Sequence, residues 1–108
     1  MDPKGGSVLP MTRVRVVGPS MEPAIRNGEW WLVRRTAKVG PGDPVLMVHP
    51  LRPHALVVKR VARAEGVGWW VLGDNAGESE DSRHFGVVPA GLIVGRLAFR
   101  YHPLRRRP

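Results

Sequence analysis

The sequence predicts a mainly β protein whose short strands form a partly open, barrel-like arrangement. Its apolar residues alternate with polar ones or occur in short runs, which is the spacing of strands. Thirteen glycines and 11 prolines in 108 residues separate these runs at short intervals. Almost no segment has apolar residues at helical spacing. The exception is 21–27, which predicts one or two helical turns after Ser20 and ends at Gly28.

Seven stretches have strand character, and glycine, proline or a polar turn ends each of them. They are residues 12–17, 30–34, 45–49, 54–64, 69–72, 87–89 and 92–101. The fourth is the longest, and the glycine-containing turn at 65–68 predicts that it forms a hairpin with the fifth.

The strands lie within one predicted domain, residues 11–102, because a chain of 108 residues suffices for a single modest core. The preceding residues, 1–10, contain glycine and proline without periodicity, so we expect a disordered lead. Residues 103–108 carry three consecutive arginines and are expected to form a basic tail.

Composition excludes several kinds of chemistry. The chain has no cysteine, which rules out disulfides, zinc–cysteine sites and thiol catalysis and leaves Ser, Thr, Lys or a carboxylate for covalent chemistry. The net charge of +8 raises the question of nucleic acid, but the arginines are mostly scattered singly or in pairs, which favours a solvated basic surface. No apolar run approaches the roughly 18 residues of a membrane span, and 1–10 has no signal-peptide core. We therefore expect a soluble cytoplasmic protein.

A long polar segment, 73–86, separates two of the apolar strands. It holds four of the nine acidic residues of this basic chain, and its three glycines allow sharp turns. One interpretation is a solvated loop; the other is a functional site.

Lys59 lies between Val57 and Val61 on one face of the longest predicted strand. If this face is buried, lost hydration lowers the pKa of the amine, and a neutral lysine is a base. The alternative is an edge-strand lysine that extends to solvent.

Ser20 follows the first strand at Gly18-Pro19 and is either the N-cap of the next turn or a nucleophile whose turn amides stabilise an oxyanion. Ser79, in the polar segment, is the candidate for orienting the lysine.

These residues stand within four sequence boxes that together resemble the signal peptidase I family. The boxes span about residues 14–101 in the family's order. They read Gly-Pro-Ser20-Met21-x-Pro23, then Gly42-Asp43, then Val-Val-Lys59-Arg60-Val61, and finally Gly73-Asp74-Asn75-x-x-x-Ser79-x-Asp81-Ser82-Arg83-x-Phe85-Gly86-x-Val88-Pro89.

The resemblance implies a serine endopeptidase with a Ser/Lys dyad and no cofactor. Ser20 would be the nucleophile, Lys59 the general base and Ser79 the residue that orients it. The loop would be supported by four residues: Asp74, Asn75, Asp81 and Arg83. The family binds its peptide as an added strand, and the pocket for small side chains would be lined by Val16, Val17, Met21, Ile25, Val57 and Val58.

The sequence also departs from the family pattern. The usual N-terminal membrane anchor is not seen before the first strand, and Gly18 stands where a serine often contributes to the oxyanion hole, so that hole would rest on the Ser20 amide. Residues 62–66 replace a usual Gly-x-Pro-Gly-Asp. Small size and the 68–75 run most resemble a branch of nickel-type superoxide dismutase maturation proteases. That resemblance implies a precursor of such a dismutase as the partner, with no nucleic acid and no membrane span.

Other functions remain open from the sequence. A self-cleaving repressor-type domain shares the Ser/Lys plan but should carry its own scissile segment. A basic RNA-binding β-barrel would use the four tryptophans beside arginines, yet it would need neither Ser20 nor Lys59. The histidines, at positions 49, 54, 84 and 102, show no metal-site spacing, so we expect surface histidines and no metal.

Overall fold

The computed structural model describes residues 11–104, so the predicted lead at 1–10 and the last residues of the predicted tail lie outside the described part. Seven strands form one antiparallel sheet. Their bounds are β1 Met11–Arg15, β2 Trp30–Arg34, β3 Pro44–His49, β4 Arg52–Glu65, β5 Gly68–Leu72, β6 Val88–Pro89 and β7 Ile93–His102. Across the sheet they run in the order β1-β2-β7-β3-β4-β5-β6.

The predicted mainly β, partly open architecture is confirmed. β1 and β6 are the two edges, so the sheet does not close on itself. All seven predicted strands are present, with ends shifted by a few residues. The predicted β4–β5 hairpin turns at Gly66, whose φ of +60° suits a glycine, and Glu65 pairs with Gly68 across it.

Both faces of the sheet are covered near its centre, because β3 contributes buried side chains to two core clusters. Leu46 belongs to a cluster with Leu97 of the neighbouring β7 and Val33 of β2, the strand beyond it. Val45 and Met47 point to the opposite face, where the second cluster includes further valines of β4, β5 and β6. The continuous apolar run of β3 follows from this burial on both faces.

The segment between β1 and β2 covers the first cluster. Met21 and Ile25 are almost fully buried there, and the Ile25 amide donates to the Met21 carbonyl over 3.0 Å. This bond closes a turn where the sequence predicted one or two helical turns, and the structure has no helix at 21–27. The Gly28 amide then donates to the Val16 carbonyl over 2.7 Å, which returns the chain to β2.

The polar segment folds into a structure that the sequence did not predict. A 3-10 turn at Ala76–Glu78 precedes a four-residue helix, α1, at Ser82–Phe85. Asp81 is the N-cap of α1, and its side chain accepts a hydrogen bond from the Arg83 amide. None of the helical segments within 11–104 is long and apolar enough to cross a membrane.

Candidate active site

Ser20 stands at the exit of the first strand, and its backbone is tied to the polar segment. The Asn75 amide donates to the Ser20 carbonyl over 2.8 Å, and the Asn75 side chain donates to the Pro19 carbonyl over 3.1 Å. The Glu22 amide donates to Pro19 O and not to the Ser20 hydroxyl, so the N-cap interpretation of Ser20 does not hold. Within residues 11–104, neither Ser20 Oγ nor the Ser20 amide makes a hydrogen bond.

Lys59 is buried, as its position between two valines suggested. The residue is 5% exposed, and Val45 lies directly opposite on β3. Burial lowers the pKa of the Lys59 amine below its ordinary value, while the negative charges of Asp81 and Glu80 oppose that shift. The alternative in which the Lys59 amine extends to solvent is therefore wrong.

Ser79 connects Lys59 to a buried carboxylate. The Lys59 amine donates to Ser79 Oγ over 3.3 Å, and Ser79 Oγ lies 3.4 Å from Asp81 Oδ2, which accepts its hydroxyl proton. Ser79 is thus held between a donor and an acceptor, and this arrangement limits the positions that the Lys59 amine can take.

Asp81 is fully buried and ionised. Burial by itself would raise the pKa of this carboxyl, but hydrogen bonds from Arg83 and from the Gly73 and Arg83 amides outweigh it and lower the pKa to about 2. The Arg83 guanidinium pairs with both carboxylate oxygens, over 2.9 and 2.8 Å. Arg83 therefore offsets the charge that Asp81 would otherwise present to Lys59.

Gly73, the first residue of the polar segment, lies directly against the Ser79 side chain. A Cβ at this position would lie 1.8 Å from Ser79 Oγ and 3.0 Å from the Ser20 carbonyl. No side chain fits there unless Ser79 moves. The sequence showed the glycine but gave no sign that its hydrogen atom faces the orienting serine.

Asp74 supports the loop through a partner that sequence reasoning missed. Both of its oxygens accept from Arg60, over 2.9 and 2.8 Å, and Arg60 also donates to the Gly42 carbonyl over 2.8 Å. Three of the sequence boxes meet at this bidentate pair. Strand alternation places Arg60 on the face opposite to Lys59. This was the feature of the sequence that could have pointed to a separate partner for Arg60.

His49 corrects the expectation of surface histidines. It is 2% exposed, whereas His54, His84 and His102 are exposed as expected. Its Nε2 lies 2.8 Å from Glu80 Oε1, and its ring meets Phe85 edge-on at a centroid distance of 5.0 Å. In the part of the chain that the structure describes, no three His, Asp or Glu side chains gather as a metal site would require.

A cavity of about 140 Å³ joins Ser20 to Lys59. Its walls come from β1, the segment after it, β3 and β4. They are formed by Val14, Arg15, Val16, Val17, Ser20, Leu46, Leu56, Val57, Val58 and Lys59. Four of the six predicted pocket residues belong to this wall. Met21 and Ile25 do not; they pack in the core cluster that also contains Val16 and Val58.

Two strand edges border the cavity. Within the described residues, β1 pairs only with β2. The 56–59 part of β4 pairs only with β3, because β5 joins β4 from Arg60 onward. Each edge therefore presents backbone groups that an extended peptide could use.

The sequence matches known peptidase families along most of its length. Residues 68–102 match the family described as signal peptidase, peptidase S26, and residues 10–84 match the peptidase S24-like family. The chain is 35% identical over 120 residues to the mitochondrial ATP-independent inner membrane protease subunit 1a of Arabidopsis thaliana, covering 86% of this chain and 71% of the relative. It is 33% identical over 111 residues to the human mitochondrial inner membrane protease subunit 1, covering 81% and 67%. This chain belongs to the signal peptidase I family and is a serine peptidase with a signal-peptidase-like protease activity.

Proposed function

We propose that Ser20 and Lys59 form the catalytic dyad of this peptidase, and that it removes an N-terminal leader from a precursor protein. The observation that supports the dyad most strongly is that one small cavity holds a buried amine and a serine hydroxyl that makes no hydrogen bond within residues 11–104. A lysine with a lowered pKa loses its proton at lower pH than an ordinary lysine, which is what a general base requires.

In the proposed reaction, Lys59 Nζ takes the proton of Ser20 as Oγ bonds to the scissile carbonyl carbon. The tetrahedral intermediate collapses, the C–N bond breaks, and Lys59 returns the proton to the leaving amine. Water then attacks the Ser20 ester with Lys59 again as base, which frees the acid and restores the hydroxyl. The Lys59 amine now bonds Ser79, so it must approach Ser20 when substrate binds, as catalytic hydrogen bonds often tighten in the complex.

The oxyanion would be stabilised by the Ser20 amide. That amide donates to no group within residues 11–104, whereas the Gly18 amide is already bonded to Asn27 Oδ1 over 2.8 Å. A single backbone donor is therefore the expected oxyanion hole.

The substrate would bind as an extended strand between the edges of β1 and β4 that have no partner strand within residues 11–104. The cavity between these edges is small and mostly lined by valine and leucine, so it favours short apolar side chains next to the scissile bond. Among substrates, the precursor of a nickel-type superoxide dismutase is our candidate, on the basis of the sequence resemblance, and the cytoplasm is the proposed location.

Self-cleavage is the second candidate function, because the self-cleaving repressor-type domains share the Ser/Lys plan and residues 10–84 also match a second peptidase family, the S24-like one. Both functions use Ser20 and Lys59. They differ in whether the bond that breaks lies in this chain or in another protein.

Incubation of the purified protein with the candidate dismutase precursor tests the proposal, with the new N-terminus read by mass spectrometry. We expect one cleavage that removes the leader, and none with Ser20→Ala. Shortening of this chain with an intact precursor would support self-cleavage instead. Ser20-dependent cleavage of a different precursor would retain the dyad and reject the dismutase as substrate.

A further inference from the structure

Three side chains join the β3–β4 turn to the polar segment, and we call them the Glu80 clamp: His49, Arg52 and Glu80. Glu80 Oε1 lies 2.8 Å from His49 Nε2 and 2.7 Å from Arg52 Nη1. His49 is buried at the end of β3, and its ring also contacts Phe85 of α1. The clamp thus connects two segments that are about thirty positions apart in the sequence.

The hydrogen bonds of His49 determine its tautomer. The Leu51 amide donates to His49 Nδ1 over 3.0 Å, so Nδ1 carries a lone pair. The proton of the neutral ring is then on Nε2, which donates it to Glu80. His49 is therefore a fixed donor, and Arg52 supplies the positive charge that balances the Glu80 carboxylate.

Glu80 lies between Ser79, whose hydroxyl accepts from the Lys59 amine, and Asp81, whose charge acts on that amine. The backbone is extended at Ser79, with φ −133° and ψ 131°, and at Asp81, with φ −147° and ψ −162°. Side chains alternate along extended backbone, so Ser79 and Asp81 share one side while Glu80 takes the other. Anchoring Glu80 to His49 and Arg52 therefore fixes the side on which Ser79 meets Lys59.

The clamp also pairs a negative charge that acts on Lys59, the Glu80 carboxylate, with the positive charge of Arg52. The carboxylates that act on the amine are Asp81 and Glu80, and both favour its protonated form. Arg83 pairs with Asp81 and Arg52 pairs with Glu80, while Arg15 of β1 adds a positive charge on the same cavity wall. Without Arg52, the Glu80 charge would be less balanced and would favour the ammonium form more strongly.

We propose that His49 and Arg52 are positioning residues for the dyad, because they hold Glu80 and thereby fix Ser79 against Lys59 and balance an exposed carboxylate whose charge acts on the Lys59 amine. This inference rests on the proposed function of Ser20 and Lys59. It assigns no contact between the clamp and the substrate.

Arg52→Met tests the clamp in a position where misfolding is not expected, since the Arg52 side chain is 60% exposed. We expect kcat to fall about fivefold with KM changed less than about twofold, and the rising limb of the pH–rate profile to move to higher pH. Arg52→Lys should restore most of kcat. The matched control is Arg63→Met, which removes a similarly exposed arginine, 56%, from its pair with Glu65.

Glu80→Gln should move the rising limb of the pH–rate profile to lower pH, opposite to the effect of Arg52→Met. The neutral amide removes the negative charge near Lys59, while its oxygen still accepts from His49 and Arg52 and keeps the loop in place. A structural role alone would not give shifts of opposite sign. The inference fails if Arg52→Met behaves like Arg63→Met, or if the Arg52 and Glu80 variants move the limb in the same direction.

NMR titration of the lysine side chains makes the result independent of turnover. The chain has three lysines, so selective labelling gives few signals, and Lys59→Arg identifies the one from Lys59. We expect Lys59 to titrate at higher pH in Arg52→Met and at lower pH in Glu80→Gln than in the unmodified protein. An unchanged Lys59 titration in both variants rejects the clamp even when cleavage depends on Ser20. If the Lys59 titration shifts as expected but no cleavage depends on Ser20, the proposed function is rejected instead.

Discussion

The Lys59 amine donates to the Ser79 hydroxyl over 3.3 Å, and this contact connects strand β4 to the polar segment. Ser79 is itself held by Asp81, which Arg83 and the Gly73 amide keep ionised. The proposed base is therefore positioned by a chain of neighbours that does not include Ser20. This arrangement separates orientation of the amine from the chemistry of the nucleophile.

Ser79→Ala should lower kcat by about tenfold to a hundredfold and leave a measurable rate, because Lys59 loses an orienting partner but remains a base. Lys59→Met should remove all cleavage. Steady-state assays of the two variants with one precursor make the comparison. Equal and complete losses would mean that Ser79 takes part in proton transfer itself.

Ser20→Ala should abolish cleavage and change the free energy of unfolding by less than about 0.5 kcal/mol, since Ser20 Oγ has no hydrogen bond within residues 11–104 to lose. Urea unfolding and the precursor assay measure the two quantities. A folded Ser20→Ala protein with the original turnover would place the nucleophile elsewhere.

Gly73→Ala should lower kcat at least as much as Ser79→Ala does, because the added methyl group would collide with Ser79 Oγ and displace it from Lys59. Gly77→Ala is the matched control in the same loop, since a Cβ there meets no atom within 4 Å. The ratio of kcat between these two variants is the measurement. Similar activity in both would show that the loop relaxes around the methyl group without moving Ser79.

The strands could be predicted because alternation and turn residues are local, and every predicted strand is present. The same alternation placed Lys59 between Val57 and Val61 on one face of β4 but left open whether that face is buried. The burial of His49 could not be predicted, since it depends on contact between β3 and a segment distant in the sequence. The helix α1 has only four residues, too few to show helical spacing. The closeness of Gly73 to Ser79 likewise appears only once the loop is folded.

Lys59→Met should stabilise the fold near neutral pH although it removes activity. Burial lowers the pKa of Lys59 in the folded state below the ordinary value of about 10.4. At a pH between the lowered pKa and the ordinary pKa, the unfolded chain therefore binds more protons than the folded one. This contribution makes stability rise with pH across that window. The difference in urea midpoint between the two proteins should therefore shrink toward alkaline pH, and a constant difference would argue against the lowered pKa.

The pH dependence of kcat/KM for precursor cleavage, measured from about pH 6 to about pH 11 with Lys59→Arg beside the unmodified enzyme, tests the dyad most directly. The predicted profile rises through one ionisation below about 10.4, and Lys59→Arg shows no cleavage at any pH because its guanidinium stays protonated. Cleavage by Lys59→Arg at a rate comparable to that of the unmodified enzyme would contradict Lys59 as the general base.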